Sequence, residues 1–314
     1  MKSIKTVSLI GLGAIGTYLA TQLKTTLGND LRIIAGGERK ERILRDGMIA
    51  GGIRHDFNVI EPSAITGYAD LAILIPKFMG LRAALEDMKN QIGPDTIILA
   101  PLNGVDAEEV VAEYYGAENI IPSLMMVSSV KKGNECIFEP KTAFIEFGEK
   151  TNERDNYSPR VTAVKELFEA SGINVRIPED MARAKWLKFM INVSENQSSA
   201  VLGICYKAWT GISPSADFIR EKIALEVIAI AQAQGINLTE EDLKKRRQRV
   251  VKVLPQNKTS TLQDIEAGRH TEVEIFAGTI MRLGEKYGIA TPYNEMMYHM
   301  IKEREEKNDG LYNA

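Results

Sequence analysis

The sequence predicts an α/β fold, with a doubly wound parallel sheet in the first half followed by an all-helical C-terminal domain. Short apolar runs alternate with helical patterns in the first half, which is typical of a parallel sheet covered on both faces. After Asp180 the patterns are helical only. The length of 314 residues suits two domains, since one domain usually holds about 100–200 residues. We place the boundary at 178–180, which predicts domains of residues 1–178 and 179–314.

Strands and helices alternate along the first domain. The predicted strands are apolar or β-branched runs between turn signals, at residues 6–10, 31–35, 71–75, 96–100 and 173–177. The predicted helices run from the glycines at 11–16 to Thr26, over 38–46, up to Ile92, over 106–115 and over 157–170. A hairpin signal at 131–134 predicts an antiparallel extension of the sheet.

The second domain carries helical patterns separated by capping residues. They cover residues 182–200, 216–234, a stretch from Thr239 to before Pro255, 271–287, and a last helix from Thr291-Pro292. Gly235 and Gly288 suit the position just after a helix, and a proline suits the first helical turn. The apolar surface of these helices is sufficient for a homodimer.

The composition excludes several classes of protein. The net charge is −3 at pH 7, so nothing calls for a nucleic acid or an anionic membrane as partner. The two cysteines, Cys136 and Cys205, stand far apart and in no metal-ligand spacing, which fits a reducing compartment and predicts no metal site. We find no apolar stretch of about 18 residues that could span a membrane. We therefore expect a cytoplasmic protein without a membrane partner.

A glycine-rich loop follows the first predicted strand. Gly11-Leu12-Gly13-Ala14-Ile15-Gly16 matches G-x-G-x-x-G and opens a helix, which is the context that gives this pattern meaning. The first glycine permits a tight turn, the second lets the backbone approach a pyrophosphate, and the third allows close helix–strand packing. The alternative is a glycine turn without a ligand. We expect the six residues to bind a dinucleotide in a Rossmann-type domain.

The residues after the second strand bear on the choice of nucleotide. No acidic residue ends this strand, where NAD-binding domains usually have one. Arg39 and Lys40 follow instead, and both could meet a 2′-phosphate, which favours NADP(H) over NAD. The alternative is that both are ordinary surface charges. Lys77 and Asn103 follow later strands, at the carboxyl ends where ligands bind in this architecture.

A polar stripe lies on the first helix of the second domain. Lys188, Asn192 and Asn196 stand at i, i+4 and i+8, and apolar residues flank them. Buried polar groups need partners, which the carbonyl and carboxylate of a substrate would supply. A solvated surface stripe explains the pattern equally well. Lysine acts as a general acid where its surroundings lower its pKa.

A second polar set comes later in the chain. Ser260 and Glu272 flank the polar segments Gln263-Asp264 and 269–271. Taken alone, they indicate a serine in a loop and a glutamate in a helix, without a particular function.

Together these segments resemble the ketopantoate reductase (2-dehydropantoate 2-reductase) family over essentially the whole chain. The elements occur in family order, and the string from Thr259 to Glu272 is the most specific. The resemblance implies reduction of 2-dehydropantoate to (R)-pantoate, a step of pantothenate and coenzyme A biosynthesis, with hydride from C4 of the nicotinamide of NADPH. It further assigns the following roles: Lys188 as general acid, Glu272 as the residue that sets the charge around it and holds the substrate hydroxyl, Asn103, Asn192, Asn196 and Ser260 as substrate ligands, and Lys77 as a residue on the nicotinamide side. From their positions in the chain, we also expect Arg39 and Asn103 to contact the cofactor.

The chain departs from the family pattern at three places. Gly36 stands where the family often has an arginine, and Phe78 to Gly80 follow Lys77 where a glutamine is usual. Polar residues surround Asn196, and Glu195 among them would repel a carboxylate substrate if it pointed inward. A same-family NAD(P)H reductase of a different 2-keto acid is therefore one alternative. The others are a non-catalytic dinucleotide-binding sensor and a related dehydrogenase of a hydroxy acid or glycerol phosphate.

Overall fold

The computed structural model describes residues 3–127, 129–140, 142–250 and 256–312. The chain divides into two compact units, Met1–Met181 and Ala182–Ala314. The predicted helix end before Pro255 lies outside the described residues. No helix in the described part of the chain has the length and hydropathy needed to cross a bilayer.

The strands of the described residues all belong to the first unit. In chain order they are β1 (Val7–Ile10), β2 (Leu31–Ile34), β3 (Met48–Ala50), β4 (Ile53–His55), β5 (Asn58–Ile60), β6 (Leu71–Leu74), β7 (Ile97–Leu99), β8 (Ser123–Met126), β9 (Ser129–Lys132), β10 (Glu135–Phe138), β11 (Phe144–Phe147) and β12 (Val175–Arg176).

The helices follow the same chain order across both units. They are α1 (Ala14–Leu27), α2 (Gly37–Asp46), α3 (Leu81–Asp87), α4 (Ala107–Tyr115), α5 (Pro159–Ala170), α6 (Met181–Ile191), α7 (Gln197–Leu202), α8 (Pro214–Ala233), α9 (Glu240–Val250), α10 (Ser260–Glu266), α11 (Ala277–Tyr287) and α12 (Pro292–Asn308).

A five-stranded parallel sheet with the order β5-β2-β1-β6-β7 forms the centre of the first unit. Successive residues of each strand enter different cores, because side chains alternate between the faces of a strand. Val7 and Leu9 pack in the core that contains α1 and α5. Ile10 and Leu74 pack in the core that contains α3 and α4. The sheet is thus covered on both faces, which confirms the predicted α/β class.

The predicted hairpin exists, but its predicted role as an extension of the parallel sheet is wrong. β9 and β10 pair antiparallel within a separate four-stranded sheet of order β4-β3-β10-β9. β10 joins this sheet by parallel pairing with β3, where Cys136 stands opposite Ala50. Residues 48–60 form β3, β4 and β5. Their apolar patterning is too weak to predict these strands from the sequence. A three-stranded sheet, β12-β11-β8, completes this unit.

The predicted helix up to Ile92 is also shorter than expected. A 3₁₀ turn at Phe78–Gly80 precedes α3, and α3 ends at Asp87. The residues that follow form turns, with the Met88 amide bonded to the carbonyl groups of both Ala84 and Leu85.

The second unit is helical throughout its described residues, as predicted. The long pattern at 182–200 is not one α-helix, because a π-helical turn, Asn192–Asn196, separates α6 from α7. We refer to residues 192–196 as the π turn. Ser260 begins α10, and Glu272 lies just before a 3₁₀ turn, so the expected loop serine and helical glutamate are exchanged.

Candidate functional site

Two of the three loop glycines are required by close backbone contacts. Gly11 has a φ of 103°, and a Cβ atom there would lie 2.2 Å from the carbonyl oxygen of Ile75. A Cβ atom on Gly16 would lie 1.9 Å from the carbonyl oxygen of Gly11. Both distances are far inside van der Waals contact, so the loop requires glycine at these two positions.

Gly13 is the loop glycine that no packing contact explains. A Cβ atom there would meet nothing within 4 Å, and its φ of −72° suits any residue. Gly13 is also the N-cap of α1 and provides no side-chain hydrogen bond. The first-turn amides of α1 therefore begin beside open space, and this arrangement fits the pyrophosphate of a dinucleotide.

Lys131 is a residue at the glycine loop that the sequence analysis missed. β9 places its Nζ atom 2.5 Å from the carbonyl oxygen of Leu12, to which it donates a hydrogen bond. Burial lowers the pKa of Lys131 below the ordinary 10.5; the Cys136 thiol opposes this effect, and the guanidinium groups of Arg42 and Arg39 add to it. A cation beside a glycine-rich loop at the start of a helix is suited to an anionic ligand. No sequence pattern relates residue 131 to residue 12, because only the hairpin brings them together.

The start of α2 carries charges of both signs. Lys40 Nζ lies 3.1 Å from Glu61 Oε1, so this predicted phosphate ligand already has a carboxylate partner. Arg39 is exposed at the start of α2. A Cβ atom on Gly36 would lie 3.0 Å from Glu61 Oε2 and 3.2 Å from Pro62 Cδ. The position of the family's arginine is therefore crowded by a carboxylate and a proline.

Lys77 and Asn103 follow neighbouring strands of the parallel sheet. Lys77 comes after β6, is exposed and precedes the 3₁₀ turn Phe78–Gly80. Asn103 comes after β7, is half-buried and precedes Gly104, whose φ is 89°. Both residues lie at the carboxyl edge of the sheet, the edge from which the glycine loop also leaves β1. Their specific contacts to a ligand stay a prediction.

Lys188 lies in the last turn of α6 with an exposed fraction of only 9%. Trp186 and Phe189 are buried beside it in the sequence, with their rings edge to face at 5.4 Å. These rings fix the helix in the unit, and the lysine beside them is largely withdrawn from solvent. In a site that excludes water, a proton donor interacts more strongly with a charge that develops on a bound ligand.

The π turn begins at Asn192 and ends at Asn196. An i→i+5 turn inserts one extra residue, so the residues after it are rotated relative to a continuous α-helix. Asn196 is buried, and its Nδ2 atom donates to Ser260 Oγ at 3.4 Å. The structure thus brings together two of the four predicted substrate ligands. The regular α-helical spacing that placed Lys188, Asn192 and Asn196 on one face is therefore interrupted between the two asparagines.

Glu272 is held in place through its neighbour in the chain. Thr271 donates to Glu305 Oε1 from both its backbone N (2.7 Å) and its hydroxyl (2.6 Å). Burial raises the pKa of Glu305, but the hydrogen bonds from Thr271 and Lys302 outweigh this effect and keep the pKa below the ordinary 4.5. An ionised, buried Glu305 therefore anchors the chain one residue before Glu272.

Glu195 does not act as a free carboxylate next to Asn196. It is completely buried, and Arg246 binds both of its oxygens, Nε to Oε1 at 2.8 Å and Nη2 to Oε2 at 2.5 Å. Arg220 Nη1 lies 3.4 Å from Oε1. The expected repulsion of a carboxylate substrate therefore loses its basis, because two guanidinium groups neutralise this charge.

The described residues contain no group of three or more histidine, cysteine, aspartate or glutamate side chains placed to hold a metal ion.

Comparison with protein families assigns both units of the chain. The model described as "Ketopantoate reductase PanE/ApbA" matches residues 7–152, and "Ketopantoate reductase PanE/ApbA C terminal" matches residues 180–305. Together the two family models match most of the chain, including residues of both units. The chain belongs to the ketopantoate reductase PanE/ApbA family, whose members are NAD(P)-dependent oxidoreductases acting on keto or hydroxy groups.

Individual relatives agree with this assignment. The 2-dehydropantoate 2-reductase of Streptococcus pyogenes serotype M18 is 25% identical over 307 residues, covering 95% of this chain and 97% of that protein. Among solved structures, D-mandelate dehydrogenase in a ternary complex with NADH and anilino(oxo)acetate has a TM-score of 0.86 at 23% identity, covering 97% and 99% of the two chains. The 2-dehydropantoate 2-reductase of Geobacter metallireducens GS-15 has a TM-score of 0.82 at 24% identity, covering 95% and 99%. At these identities the structural likeness shows the fold.

Proposed function

We propose that this protein reduces 2-dehydropantoate to pantoate with NADPH, and that Lys188 donates the proton. The proposal rests on two neighbouring features. Lys188 is buried just before the π turn, and Asn196, the last residue of this turn, bonds to Ser260. Lys188 is 9% exposed, and Asn196 lies 3.4 Å from Ser260. Membership of the ketopantoate reductase family supports this choice of reaction.

The residues of the first unit fit a nicotinamide dinucleotide. The pyrophosphate would bind at the start of α1, where Gly13 leaves open space. Arg39 and Lys131 would meet phosphate charge, and Lys77 and Asn103 would hold the nicotinamide side at the carboxyl edge of the sheet. When bound, the reduced nicotinamide supplies the hydride.

The residues of the second unit would bind the keto acid and supply the proton. Reduction places negative charge on the keto oxygen, and the Lys188 ammonium stabilises this charge by donating its proton there. The product is then a hydroxyl group, and the neutral amine regains a proton from solvent. Asn192 and Asn196 would orient the substrate, and Ser260 would bind its carboxylate. Glu272 would set the charge around Lys188 and hold the substrate hydroxyl.

A second candidate function has the same chemistry with a different cofactor and a different substrate. Glu61 beside Gly36 could accept a hydrogen bond from a ribose hydroxyl, which would favour NADH. The structural likeness to a D-mandelate dehydrogenase solved with NADH suggests a 2-keto acid with a bulkier side chain. This candidate is an NADH-dependent reductase of such an acid.

Nicotinamide oxidation tests both candidates. NADPH or NADH would be mixed with 2-dehydropantoate, phenylglyoxylate and smaller 2-keto acids, and the nicotinamide absorbance followed. Fast turnover of 2-dehydropantoate with NADPH supports the first candidate, and turnover of phenylglyoxylate with NADH supports the second. Binding of either nucleotide without any turnover contradicts both and favours the sensor alternative.

Lys188→Met tests the assigned acid, with Lys185→Met as the matched control. Both lysines lie on α6 and are 9% exposed, so the two variants remove the same chemistry at equal burial. Loss of a general acid costs about 10²–10⁴-fold in kcat. We expect this loss in Lys188→Met only, with nucleotide binding retained. Near-normal turnover of the Lys188 variant would remove this residue from its role.

Lys131→Met tests the cationic end of the nucleotide site, with the exposed neighbour Lys132→Met as control. Loss of one charged hydrogen bond of about 1.5 kcal/mol weakens binding roughly tenfold. A contact to the pyrophosphate predicts equal losses for NADPH and NADH, and a contact to a 2′-phosphate predicts a loss for NADPH alone. Unchanged affinity for both nucleotides contradicts the assignment.

A further inference from the structure

A buried ionic cluster lies beside the π turn in the second unit. It consists of Glu195, Arg246, Arg220 and Asp217, which come from the π turn, α9 and α8. The side chain of Glu195 is 1% exposed, as is that of Arg220, and that of Arg246 is 13% exposed. Arg220 Nη2 also lies 2.7 Å from Asp217 Oδ1, so two positive and two negative groups balance.

Aromatic rings cover both arginines of the cluster. The Arg246 guanidinium lies 6.0 Å from the centre of the Tyr206 ring, and that of Arg220 lies 5.9 Å from the Trp209 ring. Burial raises the pKa of Tyr206 to about 12, and the Glu195 carboxylate adds to this effect. The surroundings of the cluster are therefore dry, and its ionic contacts are little screened.

Such a cluster is a costly way to fill the interior of a helical unit. Desolvation of buried ion pairs can exceed their mutual attraction, and apolar residues of similar volume often stabilise a protein equally well. What a buried pair does provide is a fixed geometry. The bidentate contact between Arg246 and Glu195 defines both the position and the plane of the carboxylate.

Side chains of the π turn and of the start of α7 bond to backbone carbonyl groups of this segment. Ser194 donates to the carbonyl of Met190 at 2.7 Å, and Gln197 donates to the carbonyl of Val193 at 2.8 Å. Ser198 donates to the carbonyl of Ser194 at 2.6 Å. These bonds satisfy carbonyl groups along the segment. Outside the segment, Gln197 bonds to Asn294 and to the Ala277 amide at the end of the π turn. Within the π turn itself, Glu195 makes the ionic contacts to neighbouring helices.

We propose that Arg246 and Arg220 are positioning residues, which hold the π turn through Glu195 and thereby orient Asn192 and Asn196 toward the substrate. This inference rests on the proposed function, because it assigns a purpose to the turn that carries the substrate asparagines. Glu195 directly precedes Asn196 in the chain, so a shift of the Glu195 backbone would also move the Asn196 side chain, whose amide meets Ser260. Neither arginine touches the substrate in this scheme.

Arg246→Gln tests the proposal, with Arg249→Gln as the control. Arg249 lies on the same helix α9 and is exposed. A misplacement of about 1 Å at a reacting group costs on the order of 100-fold. We expect KM for 2-dehydropantoate to rise at least tenfold in Arg246→Gln, with a smaller change in kcat and unchanged KM for NADPH. Arg246→Lys should recover part of the loss.

Amide hydrogen exchange gives a readout that does not depend on turnover. Faster exchange over residues 190–198 in Arg246→Gln, with unchanged exchange over α11 and α12, is the expected result. Glu195→Gln, which keeps the size of the side chain, should show the same pattern if Arg246→Gln folds poorly. Uniformly faster exchange with an unchanged KM would overturn the proposal, since it describes a merely stabilising pair.

The two proposals fail in different ways. If the unmodified protein reduces no 2-keto acid, the proposed function is wrong, and the exchange pattern still decides whether Arg246 holds the π turn. If the protein is active and neither KM nor local exchange responds to Arg246→Gln, only the positioning role is wrong.

Discussion

Replacing Gly13 with alanine separates the structural and ligand-binding roles of the glycine loop. The new methyl group would meet no atom within 4 Å, whereas the same change at Gly16 would place a methyl 1.9 Å from the carbonyl oxygen of Gly11. Gly13→Ala should therefore leave the fold intact and occupy the space assigned to the pyrophosphate. Gly16→Ala should break the loop itself.

The magnitudes follow from these contacts. Alanine is a poorer N-cap than glycine by roughly 1 kcal/mol, and the stiffer unfolded chain offsets about 0.4–1 kcal/mol of this. The stability of Gly13→Ala should thus stay close to that of the unmodified protein. A methyl forced against a bound phosphate costs about 2 kcal/mol, or roughly 30-fold in affinity. Gly16→Ala forces a backbone shift and should cost about 3 kcal/mol or more of stability.

Two measurements decide the matter. Thermal unfolding should give Gly13→Ala a Tm within about 3 °C of the unmodified protein, since about 1 kcal/mol shifts Tm by roughly 2–4 °C at this size. Gly16→Ala should lose several times that amount. NADPH titration, followed by nicotinamide fluorescence, should show the 30-fold loss in Gly13→Ala. If this variant binds NADPH within about threefold of the unmodified protein, the loop is a turn and holds no pyrophosphate.

Three further predictions concern buried charges. Glu226→Ala removes the acceptor of two backbone N–H groups at the start of α12, each 2.9 Å away. This variant should lose about 3 kcal/mol of stability in urea unfolding. The control Glu221→Ala, at a half-exposed position on the same helix α8 as Glu226, should change stability by less than about 0.5 kcal/mol. The pKa of Glu305 lies below 4.5 in the folded state. The stability that ionised Glu305 adds relative to Glu305→Gln should therefore be complete above pH 4.5 and be lost as the pH falls through the lowered pKa. A Tm difference between the two proteins that is constant from pH 7 to pH 3 would contradict this. Because burial lowers the pKa of Lys131 below 10.5, NADPH affinity should begin to fall with rising pH below that value, and Lys131→Met should abolish this part of the pH profile.

The sequence predicts the central sheet well because its signals are local. β1, β2, β6 and β7 are short, largely buried runs. Gly11 and Gly16 mark a turn that only glycine can form. β3 escapes prediction because it pairs with a distant strand, with Ala50 opposite Cys136. β4 and β5 are partly or fully exposed, so they lack the apolar run that marks a buried strand. Lys131 escapes for the same reason, since it reaches Leu12 from a strand more than a hundred residues away.

The polar residues of the second unit are predictable as a set, and their local structure is not. A periodic pattern cannot distinguish one π turn from continuous α-helix, so the spacing of Asn192 and Asn196 was read as regular. The sequence does not show whether Glu195 points toward the substrate, because its partner Arg246 lies 51 positions later in the chain. Thr291 was expected to cap α12 but gives no side-chain hydrogen bond, and Glu226 from α8 binds the amides there instead.

The crowding at Gly36 has a consequence for the order in which substitutions can accumulate. An arginine placed at position 36 would meet Glu61 at its first side-chain atom and would pair with that carboxylate. The Glu61 carboxylate would then neutralise the charge of this arginine, which would no longer be available to bind a 2′-phosphate. We therefore expect an arginine at position 36 to strengthen NADPH binding more when Glu61 is replaced by a smaller, neutral residue. Positions 36 and 61 should then be epistatic, since the effect of each substitution on NADPH binding depends on the other.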